Sequence, residues 1–404
     1  MSLDQLTAPA PVRADRHRPV RVRVSLFALA LGGFGIGTTE FVTMGVLPEI
    51  AGGVGVSIPR AGQLVSVYAL GVVVGAPLVA VLGARLPRRT MLVALMAFFT
   101  AGNLASALAP GFHTLMAARF ASGLPHGAYF GMASVVAASL VPVERRARAV
   151  SMMMLGLMVA TLVGVPLSTV LGQQLGWRST YWTVAVIGCL TIVAVLRWVP
   201  QVHALPGASP RQELGALRRP QVWLSLLVGA IGFGGFFAVY SYITPTLTEV
   251  SGLAKAAVPI ALALFGLGMT LGTIVGGRLA DRWMLRTMGG GLASFLAMML
   301  LFTLTAHAVV PAVATVFLLG FTGTVMNPAL ATRLMDVAGE AQSLAASLNH
   351  AALNVGNALG AWIGGVVIAA GFGYTSPALA GAGLAVIGLI VIGASGWLDR
   401  SRRR

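Results

Sequence analysis

Charged residues are scarce in this chain of 404 residues, where they make up 9% of the sequence against 57% for hydrophobic residues. A soluble domain usually carries about 25% charged residues, so the composition excludes an ordinary soluble chain. Cysteine occurs once, at Cys189, which excludes an intrachain disulfide and says little about the compartment. With six histidines and one cysteine, the sequence shows no metal-ligand cluster.

Motifs of enzymes are also missing from the sequence. No nucleophile turn combines serine, histidine and a carboxylate, and neither a Gly-x-Gly-x-x-Gly nor a Walker-type loop follows a strand. No segment forms a cytosolic domain that could hold ATP. We therefore expect neither an enzyme nor a bound cofactor.

Apolar segments, by contrast, tile the chain twelve times. Most of them have about the 20 residues with which a helix crosses roughly 30 Å of hydrocarbon. They lack the apolar–polar alternation of barrel strands, so we predict an all-α membrane protein with twelve transmembrane helices. The expected spans are residues 24–47, 61–82, 91–109, 115–140, 149–171, 179–198, 222–246, 258–279, 287–306, 310–334, 344–370 and 377–397.

Arginine is distributed on one side of these predicted spans. All but four of the 27 basic residues fall in the tails or in alternate gaps, and the exceptions are Arg60, Arg119, Arg178 and Lys255. Short loops rich in lysine and arginine stay cytoplasmic, so both termini are expected inside the cell and the first helix is expected to be retained. No aromatic-studded basic domain accompanies the charge, so we expect no nucleic-acid partner.

The longest interior gap divides the spans into two sets of six. We expect a cytoplasmic tail (1–23), a six-helix bundle (24–198), a linker (199–221), a second bundle (222–397) and a basic tail (398–404). An internal repeat agrees, because Gly75, Gly83 and Arg85 recur as Gly268, Gly276 and Gly277-Arg278. Parallel repeats with a substrate cavity between them are one standard plan of transporters, although glycine-rich spans can also align by chance.

Ionisable residues inside the predicted spans are few. Glu40 lies in the first span and Arg119 at a comparable depth in the fourth, so the two could neutralise each other. Burying such a group costs at least ~2.5–3.5 kcal/mol on insertion scales, so each needs a partner or a function. Glu40 is the candidate proton-coupling site, and the alternatives are a fixed ion pair or a wet position near the surface. His126, near Arg119 on the same helical face, either carries protons or packs.

Amides and aromatic rings mark the candidate substrate site. His350, Asn354 and Asn357 form one stripe of the eleventh span, which Asn327 of the tenth extends. Amides in lipid are costly unless they are hydrogen-bonded, so this stripe serves either the substrate or interhelical bonding. An aromatic cluster in the seventh span suits an amphipathic ligand, or else packs against a neighbour; it comprises Phe233, Phe236, Phe237 and Tyr240.

Segments of two predicted helices resemble the proton-driven, twelve-helix drug exporters of the major facilitator superfamily. The stretch 40–51, EFVTMGVLPEIA, resembles the first-helix signature of their arabinose-efflux and chloramphenicol-resistance group, and segments 347–350 and 356–362 are similar to its eleventh helix. The resemblance implies two bundles related by a pseudo-two-fold axis. It also implies proton-coupled efflux of small organic compounds, drug-like or sugar-like, by a monomer in a bacterial-type plasma membrane.

The same resemblance assigns further roles. It implies proton transfer at Arg119. It implies a cytoplasmic gate in which Pro87 stands where the family has an aspartate; the gate residues are Arg85, Arg88, Arg278, Asp281 and Arg282. The family's helix-five motif, a glycine-rich run with Gly-Pro, is matched loosely, with Val165 inserted before the proline. The matching residues are Gly156, Gly164, Pro166 and Gly172. An uptake facilitator without proton coupling, or a membrane sensor with a transporter fold, remains an alternative.

Overall fold

The computed structural model describes residues 19–83, 86–201, 216–339 and 342–403. In this part of the chain the regular structure is entirely helical. The helices of the first half are α1 Pro19–Gly45, α2 Ile58–Gly83, α3 Arg88–Leu108, α4 Phe112–Gly123 with His126–Ser139, α5 Arg146–Val159 continuing through Ala160–Gly164 and Val165–Leu175, and α6 Arg178–Trp198. A short helix, Leu47–Val54, lies between α1 and α2.

The second half repeats this order. Its helices are α7 Pro220–Leu227 continuing through Val228–Gly232 and Gly234–Tyr240, α8 and α9 within Val258–Thr305, α10 Val309–Ala338, α11 Gln342–Val367, and α12 Ser376–Arg403. The long segment Val258–Thr305 bends at Trp283, whose backbone (φ −144°, ψ 60°) leaves the helical region, so α8 and α9 meet there. The predicted linker lies largely outside the described residues, and the domain boundaries stay a prediction.

Ten helices of the described segments are long and apolar enough to cross a membrane. The longest, Lys255–Thr305, holds 51 residues and contains two spans, α8 and α9. Helix α4 is interrupted between Gly123 and His126, where Pro125 predicts a kink, so neither of its segments reaches the length of a span. These two cases account for the twelve expected spans, and the predicted all-α transmembrane fold class is confirmed.

Glycines of the internal repeat permit the same close helix packing in both halves. A Cβ on Gly75 of α2 would lie 1.9 Å from the carbonyl oxygen of Leu124 in α4. A Cβ on Gly268 of α8 would lie 2.3 Å from the carbonyl oxygen of Phe317 in α10. Only glycine permits backbones to approach so closely, so each copy packs its second helix directly on its fourth.

The two halves close on each other at one end of the bundle. We call the end with Arg145 and Arg219 the basic end, and the end with Arg60 and Lys255 the opposite end. The side-chain amide of Gln173 donates to the carbonyl of Lys255 (3.0 Å), which ties α5 to the second half at the opposite end. Direct contacts therefore close this end.

Two further side chains, Thr244 and Ser66, join the halves between the opposite end and the middle of the bundle. The hydroxyl of Thr244 donates to the carbonyl of Gly45 (3.2 Å), and that of Ser66 donates to the carbonyl of Ala358 (3.0 Å). Hydrogen bonds found between described residues of the two halves all lie at the level of Glu40 or nearer the opposite end. The structure therefore represents a state in which the opposite end is shut.

Candidate functional site

Glu40 lies where the two halves meet, in the third of α1 nearest the opposite end. Only 7% of it is exposed. Its Oε2 lies 4.0 Å from Nε2 of His126, on α4 of the same half, and its Oε1 lies 3.4 Å from the side-chain nitrogen of Asn357, on α11 of the other half. A buried carboxylate with no cation bonded to it is costly in its ionised form. The site can therefore gain or lose a proton without breaking a salt bridge.

Arg119 does not form the expected ion pair with Glu40 in this conformation. The fully buried guanidinium donates instead to the neighbouring residue, from Nη1 to the hydroxyl of Thr39 (3.1 Å) and from Nη2 to its carbonyl (3.2 Å). Its carbon Cζ also lies 4.2 Å from the ring centre of Tyr68 and 5.4 Å from that of Tyr181. Such cation–π contacts help to hold a buried cation that has no carboxylate partner.

Two residues that the sequence analysis did not single out complete this network. The hydroxyl of Thr39, which accepts from Arg119, donates to the side-chain oxygen of Asn103 on α3 (2.6 Å). The nitrogen of Asn103 in turn donates to the carbonyl of Phe99 (2.9 Å). The signal was present, since an asparagine inside a predicted span needs partners just as Asn354 does. Arg119 is thereby fixed in a polar cage that ties α1, α3 and α4 together.

His126 is oriented by a tyrosine. Its Nδ1 lies 2.9 Å from the hydroxyl of Tyr68, on α2. When the hydroxyl donates to Nδ1, the neutral ring carries its proton on Nε2, the atom that faces Glu40. His126 can then present a proton toward the carboxylate, and the chain Tyr68–His126–Glu40 runs from α2 through α4 to α1.

The predicted aromatic site is a packed cluster in this conformation. Phe233, Phe236 and Tyr240 are all buried, and the rings of Phe233 and Phe236 stack with centres 4.9 Å apart. The ring of Phe41 bridges the halves by meeting that of Tyr240 edge-on at 5.6 Å. Because Phe41 follows Glu40 directly in the chain, the turn of α1 that carries the carboxylate also contacts the aromatic cluster of α7.

The amide stripe of α11 runs from the contact with Glu40 toward the basic end. His350 stacks on Phe130 of α4, with ring centres 5.8 Å apart and planes 5° from parallel. The side-chain nitrogen of Asn354 donates to the backbone carbonyl of His350 (3.0 Å), while its oxygen is buried without a partner. The side-chain oxygen of Asn327 on α10 is likewise buried and unpartnered. Unpaired buried amide oxygens are costly, and a ligand with donor groups would satisfy them.

The expected gate residues are spread over the surface of the basic end. Arg278, Asp281 and Arg282 are exposed and form no ion pair with described residues, and Nη1 of Arg88 contacts the sulfur of Met132 (3.5 Å). Arg85 lies outside the described residues. Because the opposite end is closed here, this arrangement fits a gate whose pairs form only in the other state.

A second polar cluster at the basic end escaped the sequence analysis. Gln221 at the start of α7 donates to Asp399 of α12 (3.0 Å) and accepts from Ser395 (2.6 Å). Arg333 at the end of α10 pairs with Asp399 and also donates to Gln221 (3.3 Å). The cluster joins three helices of the second half, and its members stand too far apart in sequence for a motif to reveal them.

The helix-five motif packs α5 on α1. A Cβ on Gly156 would lie 1.9 Å from the carbonyl oxygen of Ala30, and one on Gly164 would lie 2.4 Å from the hydroxyl of Thr38. Gly172 faces Val46 in the same way, and Pro166 opens the last segment of α5. The π-helical turn Ala160–Gly164 precedes that segment. These residues shape the contact beside Glu40 rather than a separate pocket.

Among the described residues, no cluster of histidine, cysteine and acidic side chains could hold a metal ion.

Comparison with known proteins points to one family. The family model described as Major Facilitator Superfamily matches residues 29–347. The inner membrane transport protein YdhP of Escherichia coli (strain K12) is 44% identical over 375 residues, which cover 92% of this chain and 96% of that protein. The chloramphenicol resistance protein of Streptomyces lividans is 34% identical over 370 residues, 91% of this chain and 94% of that protein.

A solved structure has the same fold. The crystal structure of a bacterial homologue of the human lysosomal transporter Spinster, in an inward-facing and unoccupied conformation, superposes with a TM-score of 0.77. It covers 94% of this chain and 97% of that one at 18% sequence identity, a level that carries information on the fold alone.

Proposed function

Because the chain belongs to the major facilitator superfamily, as its first and eleventh helices predicted, we propose that it is a proton-coupled exporter of small organic compounds. The two halves rock about Glu40, so that the central site faces the basic end and the opposite end in turn. Protons enter from the opposite end as substrate leaves. The basic end is cytoplasmic, with both termini inside, in a bacterial inner membrane.

The observation that carries this proposal is the carboxylate of Glu40 at the interface between the halves. It is buried, it contacts both halves, and among the described residues no arginine or lysine pairs with it; the nearest group that can carry a positive charge is His126, at 4.0 Å. Closing the halves on an ionised carboxylate is unfavourable because the charge loses its water, whereas closing them on a protonated one is not. A proton on Glu40 thereby permits a movement of the whole molecule, which is what coupling requires.

Arg119 supports this site through Thr39 rather than by a direct bond. Its guanidinium holds both the hydroxyl and the carbonyl of Thr39, so it fixes the turn of α1 that presents Glu40. In the state that opens toward the opposite end, Arg119 is the nearest candidate to receive the ionised carboxylate. We expect Arg119→Ala to lower the stability of the protein more than a change at Glu40, because the buried polar groups of Thr39 lose the hydrogen bonds that Arg119 donates.

The substrate site is proposed along the inner face of α10 and α11. His350, Asn354 and Asn327 offer hydrogen-bond donors and acceptors there, and the aromatic cluster around Phe236 and Tyr240 offers rings once the halves part. The relative from Streptomyces lividans is a chloramphenicol resistance protein, so an aromatic compound of that kind is the first candidate. A panel of drugs and sugars, tested for altered resistance or retention with and without the chain, widens the search.

The proposal is tested in liposomes with an imposed pH gradient. Purified protein should move radiolabelled chloramphenicol, or the best compound of the panel, against its concentration gradient. Glu40→Gln mimics the protonated side chain at nearly the same size. It should abolish uphill transport while downhill exchange of the same compound continues.

A matched control is Glu249→Gln, which changes an exposed acid at the opposite end. This variant should transport uphill at the wild-type rate. Normal uphill transport by Glu40→Gln would make Glu40 structural and move the coupling site elsewhere, with His126 the next candidate.

A further inference from the structure

Asn357 is the residue of the second half that contacts the carboxylate of Glu40. Its side chain is fully buried on α11, and its nitrogen donates to Oε1 of Glu40 at 3.4 Å, a long hydrogen bond. Its side-chain oxygen is buried with no hydrogen-bond partner. The amide of Asn357 therefore makes one long hydrogen bond through its nitrogen and none through its oxygen.

The proton on Glu40 decides whether this amide can be satisfied. An ionised carboxylate only accepts hydrogen bonds, so it leaves the oxygen of Asn357 unpaired. A protonated carboxyl carries one O–H donor, and the amide oxygen is an acceptor that lacks one. A small rotation of either side chain would then pair the two groups through both polar atoms of the amide.

We propose that Asn357 reads the protonation state of Glu40 across the interface and stabilises the closed opposite end when Glu40 is protonated. This inference rests on the proposed proton coupling and names the residue through which the second half responds to the proton. Asn357 is therefore a positioning residue for Glu40 rather than part of the substrate site, the role for which its place in the α11 stripe first made it a candidate.

Other titratable or charged groups around Glu40 also affect its protonation. His126 of α4 faces the carboxylate most closely, at 4.0 Å. The remaining ones act at one remove: Tyr68 of α2 through His126, Arg119 of α4 through Thr39, His350 of α11 through Phe130, and Tyr240 of α7 through Phe41. Tyr68, His126 and Arg119 belong to the same half as Glu40 and move with it, whereas His350 and Tyr240 belong to the second half and move relative to it when the halves rock.

The sign of the pH dependence follows from burial. The closed state covers Glu40, and the state open toward the opposite end exposes it to water, so the closed state binds the proton more tightly. Acid therefore favours closure of the opposite end, and alkali favours its opening. If Asn357 helps to hold the proton, changing it must move the pH midpoint of this transition.

The transition can be followed without transport. On a Cys189→Ala background, spin labels are placed at Gly52 and Ala256, two exposed positions on opposite halves at the opposite end. Distance distributions measured between about pH 5 and pH 9 give the closed fraction and its midpoint. Gel filtration of each variant checks that it is folded.

Two substitutions should move this midpoint in opposite directions. Asn357→Leu removes both the donor and the acceptor of the amide. The long donated bond is lost from both forms of Glu40, whereas the bond to the amide oxygen is lost from the protonated form alone, so the midpoint should fall by up to about tenfold in proton affinity. Asn357→Asp keeps the shape and sets a second carboxylate against Glu40, so the pair shares one proton and the midpoint should rise. Glu40→Gln should show a closed fraction that does not change with pH.

A control on the same helix is Asn354→Leu. Asn354 is also buried with an unpartnered oxygen, but it bonds to His350 rather than to Glu40, so its midpoint should not move even if transport falls. Midpoints that stay at the wild-type value in both Asn357 variants, or that shift the same way, would overturn the inference. So would a pH-dependent closure that survives in Glu40→Gln. If uphill transport by the wild type fails as well, the proposed coupling itself is wrong.

Discussion

A single methyl group added at Gly266 should push the molecule out of its closed state. Gly266 lies on α8 where that helix crosses α5 of the first half. A Cβ there would lie 2.5 Å from the carbonyl oxygen of Thr161 and 3.1 Å from the Cα of Leu162. These are backbone atoms, which cannot rotate away, so ordinary contact requires the halves to separate by about 1 Å.

The magnitude follows from the cost of overpacking. Inserting such a group into a packed contact costs typically 1–3 kcal/mol. The strain exists only while α5 and α8 touch, so it is relieved when the opposite end opens. Because every 1.4 kcal/mol is tenfold, the ratio of closed to open molecules should fall by about 5- to 140-fold in Gly266→Ala.

The spin-label pair at Gly52 and Ala256 measures this ratio directly, and two controls bracket it. A Cβ on Gly277, at the end of the same helix, meets nothing within 4 Å, so Gly277→Ala should leave the distances unchanged. A Cβ on Gly268 clashes with Phe317 of its own half, so Gly268→Ala should lower thermal stability without favouring the open state. An unchanged distance distribution in Gly266→Ala would refute the view that these helices part.

Two other expectations concern the basic end. Asp281→Asn should slow transport at normal abundance, because the state open toward the opposite end loses a gate pair; normal transport by this variant would count against the gate. Tags at either terminus, and in the segment 199–221, should resist labelling in intact cells and react after permeabilisation. Labelling of a terminus from outside would contradict the predicted cytoplasmic side.

Much of the fold could be predicted from the sequence, because lipid imposes a strict rule on the backbone. Every span must be a long apolar helix, and this rule makes the spans visible even where α8 and α9 run together through Trp283. The break in α4 could also be predicted, since Pro125 removes a backbone donor inside a span. Burial of Glu40 and Arg119 followed from their depth in the sequence of spans.

The partners of those buried groups could not be predicted, for a geometric reason. Counting residues gives the depth of a side chain along its helix, but not the rotation of that helix against its neighbours. Arg119 and Glu40 do lie at similar depth, yet Arg119 faces Thr39, one residue and about 100° around α1 from Glu40. The contact between Asn357 and Glu40 joins residues 317 positions apart, so no local pattern could reveal it.

The same lack of rotational information affected the aromatic residues. Four rings in the seventh span predicted a ligand surface, but Phe236 is 1% exposed and packs against Phe265 of α8. Hydrophobic rings suit a ligand and a protein core equally well, because burial stabilises both. Only the placement of α8 beside α7 distinguishes the two in this conformation.

If the valine before Pro166 is an insertion, as the resemblance to the exporters implies, the π-helical turn Ala160–Gly164 lets α5 accommodate it. A turn of this kind closes its hydrogen bonds over five residues instead of four, so it absorbs a single-residue insertion without shifting the register of the helix beyond it. Val165 follows this turn directly. Gly156, before the turn, faces α1, and Gly172, after it, faces Val46, the residue that follows α1. Deleting Val165 would therefore tend to convert the turn into regular α-helix rather than break the packing of α5 on α1.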